Sequence, residues 1–315
     1  MTDNRKKGKR GSFLRTVVLI AALAVFCYSA YQLVTIYLAY KQGTDEYSDL
    51  EQYADLGTAD GEDPAVSGDG AGSQGTDGQQ ASDGTEAGES VDVPVDGTDE
   101  EGDFVYETET DKETGETRQI KLYYMRNPVD FDGLQAINED IIAWLRVGAL
   151  DLSYPVTQAE DNDYYLHRTF RREDNFAGCI FLDYLNEPDF SDQNSIIYGH
   201  NMKNGSMFGT LSHFAQDGVY ESDPYFWIYT ADRIYKYEIF SCSTVGVNSE
   251  TYTLTFATKE DFRDYLYSAM EQSVVDNSSV TIDENDRIVT LSTCTGTDTT
   301  RFVVQGKLVQ TYIAR

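Results

Sequence analysis

Three side chains far apart in the chain have types that together can cleave and remake a peptide bond. Cys294 ends the β-like run IVTLSTC, His200 follows the run NSIIY within YGHN, and Arg301 opens the run RFVVQGKL. A thiolate is the nucleophile of acyl transfer and needs a base or cation beside it. An imidazole accepts the thiol proton and later delivers one to the leaving amine. A guanidinium is a permanent donor for the oxyanion of a tetrahedral intermediate. All three stand at expected strand ends, where a rigid sheet can hold loop-borne chemistry. Their separation along the chain leaves open whether they meet.

The remaining cysteines and histidines read as structural. Cys179 and Cys242 lie inside apolar strand patterns and behave as small buried hydrophobes. His167 follows an aromatic pair on an expected short helix, and His213 sits in a helix-like turn. No Cys-x-x-Cys or Cys/His ligand spacing occurs, so neither a disulfide framework nor a zinc site is expected.

The elements that must position these groups occupy only part of the chain. Its 315 residues divide by composition. A basic stretch with Arg5, Lys6, Lys7, Lys9 and Arg10 occupies residues 1–15, and an uncharged apolar run follows over residues 16–40. As a helix that run spans ~37 Å, more than the hydrocarbon core of a bilayer. It exceeds the apolar region of a signal peptide, and no Ala-x-Ala site follows it. An uncleaved anchor with a cytoplasmic N-terminus is expected. Residues 41–103 are rich in Gly, Ser, Thr, Asp and Glu, with no Lys or Arg after Lys41, and read as an acidic disordered tether. Much of the net charge of −30 sits there, and no basic patch on the remainder fits nucleic acid.

From residue 104 to 315 the sequence reads as one mainly β domain. Phe131, Leu134, Ile137, Ile141 and Ile142 predict an amphipathic helix running up to Trp144. Seven β-like runs follow: LDLSYPVT, CIFLDY, NSIIYGH, YFWIYT, IYKYEIFSCSTV, RIVTLSTC and RFVVQGKLVQTYI. Thr258 and Asp261 form a capping signal before Phe262, Tyr265, Leu266, Ala269 and Met270 at helical spacing. Seven or eight strands with few helices predict a closed or nearly closed barrel, which removes sheet edges.

The stretches YGHN with MKNGSMFGTL, TLSTC, and an arginine seven residues beyond the cysteine resemble the sortases, class B in particular. DNDYYLHRTF and AGCIFLDYLN are similar to that class as well. The resemblance covers residues 131–313. It implies an eight-stranded barrel with an N-terminal helix and a long helix, Lys259–Ser273, before the nucleophile strand. It also implies a cysteine transpeptidase with Cys294 as nucleophile, His200 as proton partner and Arg301 as the oxyanion-side cation. Ser292 and Thr293 are expected to shape the substrate groove. The implied partners are secreted proteins with a C-terminal sorting motif and an amine acceptor, either a cell-wall precursor or a pilin lysine. Neither metal nor cofactor is called for, and the implied setting is the outer face of a Gram-positive cell membrane. A hydrolytic cysteine protease on the same barrel and a non-catalytic peptide-binding surface protein remain the alternatives.

Overall fold

The computed structural model describes residues 4–56, 97–99, 102–110, 115 and 117–315. In chain order the elements are α1 (Asn4–Leu50), β1 (Gly97–Asp99), β2 (Gly102–Thr110), β3 (Thr117–Met125), α2 (Phe131–Ile137), β4 (Ile141–Val147), β5 (Leu152–Thr157), β6 (Ile180–Leu182), β7 (Asn194–Tyr198), α3 (Val219–Ser222), β8 (Tyr225–Tyr229), β9 (Arg233–Gly246), α4 (Lys259–Glu271), β10 (Ile288–Cys294) and β11 (Thr300–Ala314).

Eight strands close on themselves in the order β11-β10-β7-β6-β5-β4-β8-β9, and β9 pairs again with β11. The expected closed eight-stranded barrel is therefore present, and closure satisfies the backbone groups that an open edge would expose. Its interior holds Leu145, Val156, Ile197, Ile228, Leu291 and Val304, all buried. The long strand β11 outlasts β10. Where β10 has ended, β3 pairs in parallel with Tyr312–Ala314 and covers the freed edge. The β2–β3 hairpin is thus an appendage to the barrel, and no β-like run before residue 150 was among the expected strands.

Two expectations are corrected. The helix predicted to run up to Trp144 stops at Ile137, and Ile141–Val147 is a barrel strand. Asp130 caps the short helix by accepting from the Gly133 amide at 2.9 Å. Beyond it, barrel pairing with β5 and β8 overrides helical periodicity. The second correction concerns the tether, expected from residue 41. Instead α1 continues unbroken to Leu50, which is 0% exposed, and Tyr47 donates to the Gly178 carbonyl at 2.7 Å. At the other end of the expected tether, Gly97–Asp99 and the start of β2 are strand. The part of it at 57–96 lies outside the described residues.

Among the described residues one helix is long and apolar enough to cross a membrane, and it is α1. Its side chains from Val17 to Leu38 are largely exposed, as suits a lipid-facing surface. The predicted cap of α4 is present: Thr258 Oγ1 accepts from the Asp261 amide at 3.1 Å. Phe262, Tyr265, Leu266 and Ala269 of that helix pack over the outside of the barrel against Ile288 and Phe240.

Candidate active site

Strand register places the thiol and the guanidinium side by side and brings the segment that carries the histidine alongside. β7 and β10 run parallel, with Tyr198 opposite Ser292. The Gly199 amide extends the ladder by donating to the Ser292 carbonyl at 3.2 Å. His200 lies two residues beyond the last paired position of β7, and the next residue, Asn201, bonds the Cys294 carbonyl at 2.7 Å, so the histidine loop runs against the end of β10. On the other side of β10, Cys294 is the direct partner of Arg301 on antiparallel β11. Residues paired in this way point to the same face of a sheet. Thiol and guanidinium therefore share one face at one end of the barrel, where the loop bearing His200 also arrives.

The face they share is the outer one. Val289 and Leu291 of β10, Ile197 of β7 and Phe302 and Val304 of β11 belong to the barrel core. With two-residue alternation, Tyr198, Ser292, Cys294 and Arg301 point the opposite way, toward the layer formed by the segment between β9 and β10. Tyr252 of that segment shares a hydrogen bond with Ser292 Oγ at 2.9 Å and stacks near Tyr198, with ring centroids 6.5 Å apart. The layer stops short of Cys294, which is partly exposed while the preceding Thr293 is buried.

The His200 imidazole is held by one hydrogen bond. Its Nε2 lies 2.8 Å from the Leu166 carbonyl oxygen. A carbonyl only accepts, so Nε2 carries the proton and Nδ1 is the nitrogen left for exchange. Burial lowers the His200 pKa below the usual histidine value, against the raising effect of the Leu166 carbonyl. His167 adds a smaller lowering effect, with its ring 6.5 Å from that of His200. The preceding Gly199 is required by space, since a β-carbon there would lie 2.5 Å from Ile180 Cδ1 and 2.7 Å from Phe208.

Arg301 Nη1 donates to the carbonyls of Thr300 at 2.9 Å and Thr297 at 3.4 Å. Among the described residues no carboxylate pairs with it, so its charge is not neutralised. Asn201 Nδ2 donates to the Cys294 carbonyl at 2.7 Å and ties the histidine loop to the nucleophile strand. Thr293 Oγ1 donates to the Gly199 carbonyl at 2.8 Å, a second tie between the same segments. Ser292 and Thr293 are 3% and 2% exposed, with both hydroxyls used internally.

Sequence reasoning missed Asn201, although it lies in YGHN, because a polar residue after a histidine has no distinguishing pattern. Tyr252 and His167 were missed because their roles arise from loops folding over the site. Cys179 and Cys242 are fully buried, and burial pushes the Cys179 thiol up to about 12 and the Cys242 thiol up strongly. Among the described residues no cluster of His, Cys, Asp and Glu could hold a metal.

A closed barrel with a partly exposed thiol, an unpaired guanidinium across from it and a histidine loop alongside suits acyl transfer through a thioester. The comparisons with known proteins make the class specific. The sortase domain model matches residues 145–309. Sortase B of Listeria monocytogenes is 41% identical over 182 residues, spanning 56% of this chain and 72% of the relative. Sortase B of Staphylococcus aureus is 32% identical over 183 residues, spanning 57% and 75%. The X-ray structure of Clostridium perfringens sortase B superposes with a TM-score of 0.54 at 32% identity, covering 57% of this chain and all of the other. A substrate complex of the Staphylococcus aureus enzyme also gives 0.54, covering 57% and 84%. The chain belongs to the sortase family, class B.

Proposed function

We propose that this chain is a membrane-anchored transpeptidase whose thiol, Cys294, cleaves a C-terminal sorting motif of secreted proteins and passes the acyl group to an amine. Cys294 Sγ attacks the scissile carbonyl as the thiol proton passes to His200 Nδ1. Arg301 faces the oxyanion of the tetrahedral intermediate from the adjacent strand position. The C–N bond then breaks, His200 returns its proton to the leaving amine, and a thioester remains on Cys294. An incoming amine attacks that thioester and gives a proton to His200. The C–S bond breaks, the new amide leaves, and the proton returns to sulfur.

The observation that carries this reading is the direct pairing of Cys294 with Arg301, beside the loop that bears His200 and is tied to the Cys294 carbonyl through Asn201. The lowered pKa of His200 keeps it neutral and able to accept a proton at neutral pH. Ser292 and Thr293, being buried, act by positioning the nucleophile strand against Tyr252 and Gly199. The exposed apolar helix α1 serves as the anchor, with the basic N-terminus cytoplasmic and the barrel outside. The acceptor is the amine of a cell-wall precursor or of a pilin lysine.

The test is a screen of the wild-type chain against sorting-motif peptides, with and without amine acceptors, read by mass spectrometry. Ligated product supports transpeptidation, whereas hydrolysis unaffected by any amine marks a protease. Cys294→Ala and His200→Ala are each expected to abolish cleavage. Turnover at the wild-type rate in Cys294→Ala refutes the assignment.

A further inference from the structure

The end of α1 that leaves the apolar segment is bonded to the same loop that supplies the acceptor for His200. Asn175 Nδ2 donates to the Ala39 carbonyl at 2.9 Å, and Tyr40 packs edge-on to Phe176 with centroids 4.8 Å apart. Glu46 Oε1 accepts from the Arg171 amide at 2.8 Å, and Asp49 pairs with the Arg171 guanidinium at 2.6 Å. Gln42 bonds Glu173, and Tyr47 donates to the Gly178 carbonyl. Contact is therefore distributed along the whole loop from Arg171 to Gly178.

The loop in turn fixes the Leu166 carbonyl from both sides. The Tyr165 carbonyl accepts from the Cys179 amide at 2.9 Å, and the His167 carbonyl accepts from the Asn175 amide at 2.9 Å. Leu166 stands between these two pinned residues, and its own carbonyl faces His200 Nε2. Gly178 closes the arrangement. Its φ is +60°, and a β-carbon there would lie 2.7 Å from both the Tyr165 and Leu166 carbonyl oxygens. Rotation of the 165–178 loop would move the acceptor that decides which imidazole nitrogen is free.

We propose that residues 39–50 of α1 are a positioning element for His200, holding the 165–178 loop so that the Leu166 carbonyl keeps the proton on Nε2. Glu46 and Tyr47 are the positioning residues. The proposal rests on the pairing of Cys294 with His200 put forward above. It makes the membrane helix more than an anchor, since its docked end and the catalytic imidazole share one chain of hydrogen bonds. The titratable group beside the His200 ring is His167 from this loop, and Cys294 and Arg301 stand on the nearby strands β10 and β11. None of them changes in the variants below.

The test uses the full chain in detergent and reads alkylation of Cys294 by iodoacetamide as a function of pH, site by site by mass spectrometry. This readout needs no peptide substrate. In Tyr47→Phe and Glu46→Ala the alkylation rate at pH 7 is expected to fall about two- to tenfold, the worth of one hydrogen bond. The profile is expected to move to higher pH, because the imidazolium partner of the thiolate has lost its acceptor. Glu46→Gln keeps an oxygen acceptor for the Arg171 amide and is expected to restore the wild-type profile. Tyr53→Phe, next to Gly133 of α2 and away from the loop, is the control. Unchanged profiles in folded Tyr47→Phe and Glu46→Ala overturn the proposal. A His200→Ala profile identical to wild type overturns the underlying Cys294–His200 pairing, and the proposal with it.

Discussion

Replacing Arg301 separates chemistry from folding more cleanly than any other change at this site. Arg301 stands directly across from Cys294 on the neighbouring strand, and its guanidinium bonds two carbonyls of its own loop, those of Thr297 and Thr300. Its charge is therefore free to meet a developing oxyanion. Loss of one donor aimed at an oxyanion typically costs about 3–4 kcal/mol of transition-state stabilisation, a factor of about 10²–10³ in turnover. The stability cost is small, because the two carbonyls it releases lie at a solvent-accessible loop, and the melting temperature is expected to move by less than about 4 °C. Arg301→Ala should thus lower kcat for a sorting-motif peptide about 10²–10³-fold while the protein melts near the wild-type temperature. Arg301→Lys keeps the charge but loses the planar fork, so it should recover only part of the rate. A folded Arg301→Ala variant with kcat within about fivefold of wild type would show that the oxyanion is stabilised elsewhere.

Three further outcomes are expected. In the native protein a thiol reagent should modify Cys294 well before Cys179 and Cys242, whose thiols are buried and pushed to high pKa; equal labelling of all three would contradict the fold around them. Because the His200 pKa is lowered on folding, the unfolded chain takes up that proton first as pH falls. The corresponding stability is complete above about pH 6.5 and is lost as pH drops through the folded value, so the melting temperature of wild type should fall relative to that of His200→Gln below about pH 6.5, and a difference constant with pH would refute the linkage. Leu50→Ala removes a fully buried side chain at the docked end of α1 and should destabilise the domain by about 2–5 kcal/mol in denaturant unfolding followed by Trp144 and Trp227 fluorescence. No change would return residues 41–56 to the status of a tether.

The chemistry was legible in the sequence because each of its three residues carries a local signal: a cysteine ending IVTLSTC, a histidine in YGHN and an arginine opening RFVVQGKL. The apolar run of residues 16–40 was legible for the same reason, since membrane length and absence of charge are properties of a contiguous segment. The α4 cap was legible too, because Thr258 and Asp261 lie within one helical turn. The strand of Ile141–Val147 was not. Its apolar residues fit a helical period as well as a buried strand, and the decision fell to pairing with β5 and β8, which are distant in the chain.

What the sequence determined by itself is the set of reactive groups, their placement at strand ends and the presence of a membrane-length helix, all encoded in neighbouring residues. What only the tertiary structure decided is the pairing of Cys294 with Arg301, the hydrogen bonds by which Asn201, Tyr252 and Thr293 position that strand end, and the docking of α1 onto the loop behind His200. Each of these depends on register between strands or on contact between segments distant in the chain, such as Tyr47 with Gly178. Closure of the barrel fixes those registers by pairing every strand on both sides, and no local pattern records which partner a strand finds.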